Sequence, residues 1–329
     1  MADVKFGVLI GGTWPQGLPS GADLLDLARS AEDLGFDSIH SSDHIASPPS
    51  GPVPVVNCFT FLSAAAAVTK RVQLGTFPLS MPMHNPSIVG SAMLGLHHIS
   101  DGRAIFCTAS GFSYPGELEA VGVALSERPT RNSEGMDVIS KLWAEDKVTF
   151  EGQFSKMTDL NMALKDAHKP IPTWVNGRHP SALHRAVSSG DAWAIPMVGP
   201  QEFGESQAKI VQYASEEGRD LGSGFHWIVE VGFNINSDPA KARQEAEIAL
   251  EARPDKESTT GQPPTKELLN EAAAVGSAED CASRIREYVD GGATWIIATP
   301  LCPYSGFKNQ MAQFSKEVMP RFKVVKATA

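Results

Sequence analysis

Short runs rich in β-branched and aromatic residues alternate with helical stretches along the whole chain, and this alternation most limits what it can fold into. Residues 4–10 predict a strand. Ser20 offers an N-cap for a helix reaching Leu34, with Leu24, Leu27, Ala28, Ala31 and Leu34 on one stripe, and Gly35 stops it. Strands are predicted at 37–42, 72–79 and 103–110, separated by helices at 58–69 and 86–99, and a helix follows at 134–143. The second half continues with strands at 171–176, 191–195, 226–234 and 294–299. Helices fall at 180–188, 201–217, 240–251, 277–290 and 307–319.

Eight strands, most followed by a helix, make the pattern of a closed parallel (β/α)8 TIM barrel, and 329 residues suit one such domain spanning 1–329. An open doubly wound sheet is the competitor. Its glycine fingerprint is missing: Gly11, Gly12 and Gly17 are wrongly spaced, and Trp14 and Pro15 interrupt them. The alternation breaks at about 45–56, 112–130, 147–168 and 253–275, which read as loop insertions on the C-terminal face. The first is too proline-rich for a helix. Residues 147–158 read as a hairpin turning at Glu151-Gly152, and 253–275 as a polar loop ending in a helix.

Several function classes drop out. The net charge of −10 repels phosphate backbones, so nucleic acid is not an expected partner. No run of 18 apolar residues occurs and the N-terminus reads as a strand rather than a leader, so no membrane partner is expected. Cys58, Cys107, Cys281 and Cys302 lie far apart, without a C-x-x-C pair, and read as reduced thiols in a cytoplasmic protein. The adjacent His97 and His98 do not share a helix face, and no metal site is expected. No G-x-S-x-G elbow or P-loop is present.

The chemistry-bearing candidates sit at predicted strand ends. Ser42-Asp43-His44 ends the second strand; a charged and a titratable side chain there read as catalytic, with His44 able to donate a proton near neutrality. Gly75-Thr76-Phe77-Pro78 ends the third, its glycine permitting either close approach of a ligand or a bulge. Ala109-Ser110-Gly111 ends the fourth, where small residues expose backbone N–H groups; Glu117, just beyond, suits a helix start. Asn176-Gly177-Arg178-His179-Pro180-Ser181 joins the fifth strand to a helix with proline at its first position, the best phosphate cradle in the chain. Trp14, Phe77, Phe112, Tyr114, Trp174 and Trp193 together suggest an apolar pocket mouth.

These blocks, in order, resemble the bacterial-luciferase-like superfamily, and within it the coenzyme F420-dependent oxidoreductases. They are AEDLGFDSIHSSDH (31–44), TKRVQLGTFPLSMPMHNP (69–86), LHHISDGRAIFCTASGF (96–112), GELEAVGV (116–123), ERPTRNSEGMDVISKLW (127–143), FEGQF (150–154) and PIPTWVNGRHPSALHRAVSSGDAW (170–193). The resemblance implies a barrel with a deazaflavin or flavin ring at its C-terminal mouth. The phosphate would lie on residues 177–181 and the ring beside Asp43 and His44. Thr76 would press on the ring, often through a non-prolyl cis peptide in that superfamily. Departures occur at Cys107–Gly111, at Asn176-Gly177 where a double glycine is usual, and at Ala192 within Gly190–Trp193.

The implied cofactor is coenzyme F420, with FMN as the alternative. In the first case a hydride passes between the cofactor and a small organic substrate, His44 hydrogen-bonds or protonates near the reacting centre, and Asp43 orients it. Backbone N–H groups at Ala109–Gly111 stabilise charge. In the second, reduced FMN and oxygen oxygenate the substrate. A cofactor-binding protein without turnover ranks behind both, because Asp43-His44 is intact. The resemblance also brings a flavin or F420 reductase and a homodimer as partners.

Overall fold

The structure, a computed structural model, describes residues 4–11, 17–46, 54–111, 115–165, 169–252 and 265–323. Eight parallel strands close into a barrel in sequence order: β1 Lys5–Gly11, β2 Ser38–Ser41, β3 Gln73–Thr76, β4 Ala104–Ala109, β5 Thr173–Asn176, β6 Ala192–Ile195, β7 His226–Ile235 and β8 Trp295–Pro300. Closure is direct, with Lys5 of β1 opposite Trp295 of β8 and Ile228 of β7 opposite both Trp295 and Ala194 of β6. Helices wrap the outside: α1 Gly21–Asp33, α2 Cys58–Val68, α3 Pro86–Ile99, α4 Arg128–Ala144, α5 Pro180–Ser189, α6 Pro200–Glu216, α7 Pro239–Glu251, α8 Ala278–Asp290 and α9 Tyr304–Gln313.

Local chemistry sets the helix ends. Ser20 and Asp23 form a capping box at α1, Ser277 and Asp280 another at α8, and Asn57, Asn85 and Asp238 cap α2, α3 and α7. On α1 the buried residues are Leu24, Leu27, Ala28 and Ala31, so the predicted stripe is the one that packs.

Alternation along each strand splits the core in two. Outward-facing Phe6, Val8, Ile10, Ile39 and Leu74 pack under the helices. The barrel lumen is filled by Phe77, Ile105, Cys107, Trp174, Ala192, Ala194, Ile228, Trp295 and Ile297. Each buried aromatic removes roughly 200 Å² from water, about 5 kcal/mol at 25 cal/mol per Å². Among them lies His40, fully buried, its Nε2 2.8 Å from Ser38 Oγ and its ring 5.3 Å from Trp174 and 5.4 Å from Phe77. Burial pushes its pKa down to about 3. Gly75 makes room for it, since a Cβ there would lie 2.5 Å from His40 Nδ1. The strand glycine is therefore a packing requirement of the lumen.

Several boundaries differ from the sequence reading. The third strand stops at Thr76, and Leu79–Ser80 pairs separately with β4, because Pro78 has no N–H for a ladder. The Thr76 hydroxyl fills the gap, donating to the Cys107 carbonyl (2.7 Å) and accepting from the Cys107 N–H (3.0 Å). No cis peptide is present among the described residues, so the bond expected near Thr76 is trans. α4 starts at Arg128, well before 134, with Pro129 in its first turn, and a short helix Pro115–Ala120 lies within the 112–130 insertion.

The hairpin strands are Val148–Glu151 and Lys156–Leu160, with a wider turn than expected. Glu134 holds that turn by accepting from the N–H groups of Gln153 (2.7 Å) and Phe154 (2.9 Å). In the last insertion Ala274–Gly276 is a strand paired with the end of β7; residues 253–264 of that insertion and 47–53 of the first lie outside the described residues. Of the aromatics expected at the mouth, Phe77 and Trp174 fill the lumen and Trp193 packs outside on Phe203, whereas Trp14, Phe112 and Tyr114 lie outside the described residues.

Candidate active site

The ends of β2, β3, β4 and β5 are neighbours on one rim, and they carry the sequence-predicted site residues: Asp43 and His44, Thr76, Ala109–Gly111, and Asn176–Ser181. The rim is the C-terminal one, where the βα loops of such barrels gather.

Asp43 does not hold His44. Its carboxylate is buried and accepts from His84 Nε2 (2.6 Å), from the Ser80 N–H (3.0 Å) and from Cys58 Sγ (3.6 Å). The expected role of Asp43 in orienting His44 is corrected by these partners. His44 Nδ1 instead lies 3.3 Å from Glu117. The Glu117 side chain is fully buried and also accepts from the N–H groups of Ile45 (2.8 Å) and Ala46 (3.2 Å). Standing in the first turn of the short helix Pro115–Ala120, it also braces the loop after β2. Its signal in the sequence was the GELEAVGV block, whose carboxylate position was visible but whose partner was 73 residues away. His84 lies in the 69–86 block, but nothing there singled it out as a partner of Asp43.

Thr76 is buried, and its hydroxyl is committed to β4, so its side chain serves the barrel wall. The end of β4 is braced from outside. Asn132 of α4, its amide oriented to meet both neighbours, donates to Thr108 Oγ1 (3.2 Å) and the Ala109 carbonyl (3.3 Å) and accepts from Arg185 of α5 (3.0 Å). Arg128 donates to the Gly111 carbonyl at 2.9 Å. Gly111 adopts φ +88, a conformation that favours glycine.

The β5–α5 junction combines the features of an anion cradle. Gly177 has φ +140, and a Cβ there would sit 3.0 Å from Ala182 Cβ. Its N–H donates to the Ala194 carbonyl, and its own carbonyl accepts from Trp193 Nε1 at 2.8 Å. His179 caps α5, accepting from the Ser181 N–H at 3.3 Å with Ser181 Oγ at 2.9 Å. Arg178 reaches Glu202 through Nη1 (3.4 Å), while its buried Nη2 has no partner. Asn176 is 2% exposed, and neither atom of its amide finds a partner in the protein. Orphaned buried polar atoms are expensive unless something else meets them.

Sequence comparison gives this arrangement its context. The profile of the luciferase-like monooxygenases matches residues 4–294.

The chain belongs to the luciferase-like monooxygenase family.

It is an enzyme, as members of that family are, and the family's relatives work with a flavin or a deazaflavin. One relative is the F420-dependent glucose-6-phosphate dehydrogenase of Kineococcus radiotolerans, 26% identical over 315 residues covering 90% of this chain and 92% of that protein. Among solved structures, the fold matches an F420-dependent secondary alcohol dehydrogenase in complex with an F420-acetone adduct. That match has TM-score 0.82 and 21% identity, over 98% of this chain and all of the other. It also matches the monooxygenase RslO1 of Streptomyces bottropensis, with TM-score 0.83 and 22% identity over 97% and 99% of the two chains. No helix among the described residues is long and apolar enough to cross a membrane.

Proposed function

We propose that this luciferase-like enzyme transfers a hydride between coenzyme F420 and a small organic substrate. The observation that carries the reading is the shared rim: Asp43 and His44, Thr76, Ser110 and the Asn176–Ser181 junction lie at the ends of four consecutive strands. The residues fit a phosphate-bearing ring cofactor. Arg178 has a buried nitrogen without a partner, the Ser181 N–H is held only by the His179 ring at 3.3 Å, and the glycine at 177 lets the chain pass close to a ligand. Once bound, the cofactor supplies the hydride chemistry.

The chain's own part is positioning and proton handling. Residues 177–181 hold the phosphate, with Ser181 and His179 adjusting their mutual hydrogen bond to receive it. His44, held through Nδ1 by Glu117, serves as a hydrogen-bond partner or proton donor near the reacting centre. Asp43 ties the β2 loop to the segment after β3 and keeps the rim in register. N–H groups of Ala109–Gly111 stabilise developing negative charge.

An FMN-dependent monooxygenase using oxygen is the second reading, favoured by the family's own description and by the likeness to RslO1. Tryptophan quenching on titration with F420 and, separately, FMN tests the choice. Tight quenching by F420 with weak quenching by FMN supports the first reading. The reverse, together with reductase-driven oxygen uptake, replaces it with the second. A small-molecule substrate, a reductase as supplier of reduced cofactor, a homodimeric state and a cytoplasmic location belong to the same proposal.

A further inference from the structure

Behind the end of β4 lies a buried cation. Arg185, on the buried face of α5, is 8% exposed. Burial lowers its pKa and the carboxylate of Asp137 raises it again, and a guanidinium keeps its proton in either case. Its Nη1 donates to Asn132 Oδ1 at 3.0 Å, and its Nη2 reaches the Pro129 carbonyl at 3.5 Å. An apolar side chain of similar length would fill the same space between α4 and α5 without the cost of desolvating a charge.

Asn132, 1% exposed, passes that charge on. Its oxygen faces Arg185, and its Nδ2 donates to the Ala109 carbonyl (3.3 Å) and to Thr108 Oγ1 (3.2 Å). The Ala109 carbonyl and the Ser110 N–H belong to one trans peptide and point in opposite directions. The strand fixes where that N–H is aimed. Phe106 donates its N–H to the Pro172 carbonyl, so the N–H groups two and four residues on, at Thr108 and Ser110, also point toward β5. Ser110 therefore aims its N–H at the gap between the end of β4 and the junction after β5, and it has no acceptor there among the described residues. Hydrogen bonds in a chain polarise one another, so a cation at one end makes the last N–H a stronger donor.

We infer that Arg185 and Asn132 are positioning residues for the proposed reaction, carrying the charge of a buried guanidinium through two amides to the Ser110 N–H, which meets negative charge on the cofactor ring. A ring that takes up a hydride gains one negative charge until a proton follows. The relay therefore favours the reduced form over the oxidised one, whereas a brace alone would hold both equally. This rests on reading the β2–β5 half of the rim as the cofactor side.

Two variants test it. Arg185→Met keeps the length of the side chain and drops its charge; Arg185→Lys keeps the charge. In cofactor-free protein isotope-labelled on serine, the Ser110 amide proton, assigned through Ser110→Ala, moves upfield in Arg185→Met and less than half as far in Arg185→Lys. Anaerobic tryptophan quenching in mildly alkaline buffer then gives the affinities for oxidised and reduced F420 and FMN. The preference for the reduced form falls about threefold in Arg185→Met, as when a hydrogen bond to an anion loses about a quarter of its strength, and is largely kept in Arg185→Lys. Should Arg185→Met not fold, Asn132→Ala carries both readouts, since it removes the link and leaves the cation. A Ser110 resonance that stays in place in Arg185→Met, or moves equally in both variants, overturns the inference. So does a reduced-form preference that survives Arg185→Met, which leaves Arg185 a brace alone. If neither cofactor quenches wild type, the cofactor reading fails, and the Ser110 resonance on cofactor-free protein still decides the relay.

Discussion

His84 Nε2 lies 2.6 Å from the buried carboxylate of Asp43, joining the segment after β3 to the loop after β2. The same carboxylate accepts the Ser80 N–H, so Asp43→Ala strands a buried donor as well as the imidazole. We expect this variant to lose about 2–4 kcal/mol of stability in urea unfolding. Asp43→Asn keeps one acceptor and is expected to lose about half as much. Equal, near-zero losses in both variants would show that the carboxylate is dispensable to the fold.

Glu117 receives three donors, His44 Nδ1 and the N–H groups of Ile45 and Ala46. Glu117→Ala is expected to speed hydrogen exchange at Ile45 and Ala46 at least tenfold while exchange in β2 holds steady. With the cofactor identified, His44→Ala should lower kcat by about 10²–10⁴, the range for a lost proton donor. Unchanged exchange at 45 and 46 would mean that the loop has another support.

Gly177→Ala places a side chain at φ +140 and a methyl group 3.0 Å from Ala182 Cβ. A loss of about 1–3 kcal/mol in thermal or urea unfolding is expected from the backbone alone. Cofactor affinity should fall further than stability does, because the strain sits in the proposed phosphate cradle. Stability loss with an unaltered quenching curve would move the phosphate elsewhere.

His40 makes the fold sensitive to acid. The unfolded histidine takes up its proton near pH 6.5, whereas burial delays protonation of the folded one to about 3. Its contribution is complete above 6.5 and shrinks by about 1.4 kcal/mol per pH unit as pH falls toward 3. His40→Gln weakens the lumen at neutral pH but removes this slope. The difference in unfolding free energy between wild type and variant should therefore narrow by about 2–3 kcal/mol from pH 7 to pH 4.5. A constant difference would mean that His40 is protonated in the folded state.

Much of the barrel was readable from local pattern. The stripe on α1, the cap Ser20 and eight β-rich runs depend on neighbours within one or two turns, and they survive in the structure. The strand ends bearing Asp43, Ser110 and Gly177 were legible for the same reason. Partners across the fold were not. His84 with Asp43 and Glu117 with His44 are 41 and 73 residues apart, and nothing local in either residue announces the other. His40 was hidden inside a strand, where one polar residue in an apolar run gives no clue to which face it takes. The break after Thr76 came from Pro78, a rule available in the sequence but outweighed there by the β-rich run around it.

The rim is fastened in sequence: Asp43 to His84, His44 to Glu117, Thr76 to Cys107, Gly111 to Arg128, Asn132 to Arg185. Apart from Gly111, which is held by Arg128 of its own βα unit, each is clasped by a residue from a later unit. A loop borrowed singly from a relative would arrive without its clasp and leave another one empty. Chimeras of this enzyme should therefore exchange the stretch from β2 through α5 as one block, with crossovers placed outside it.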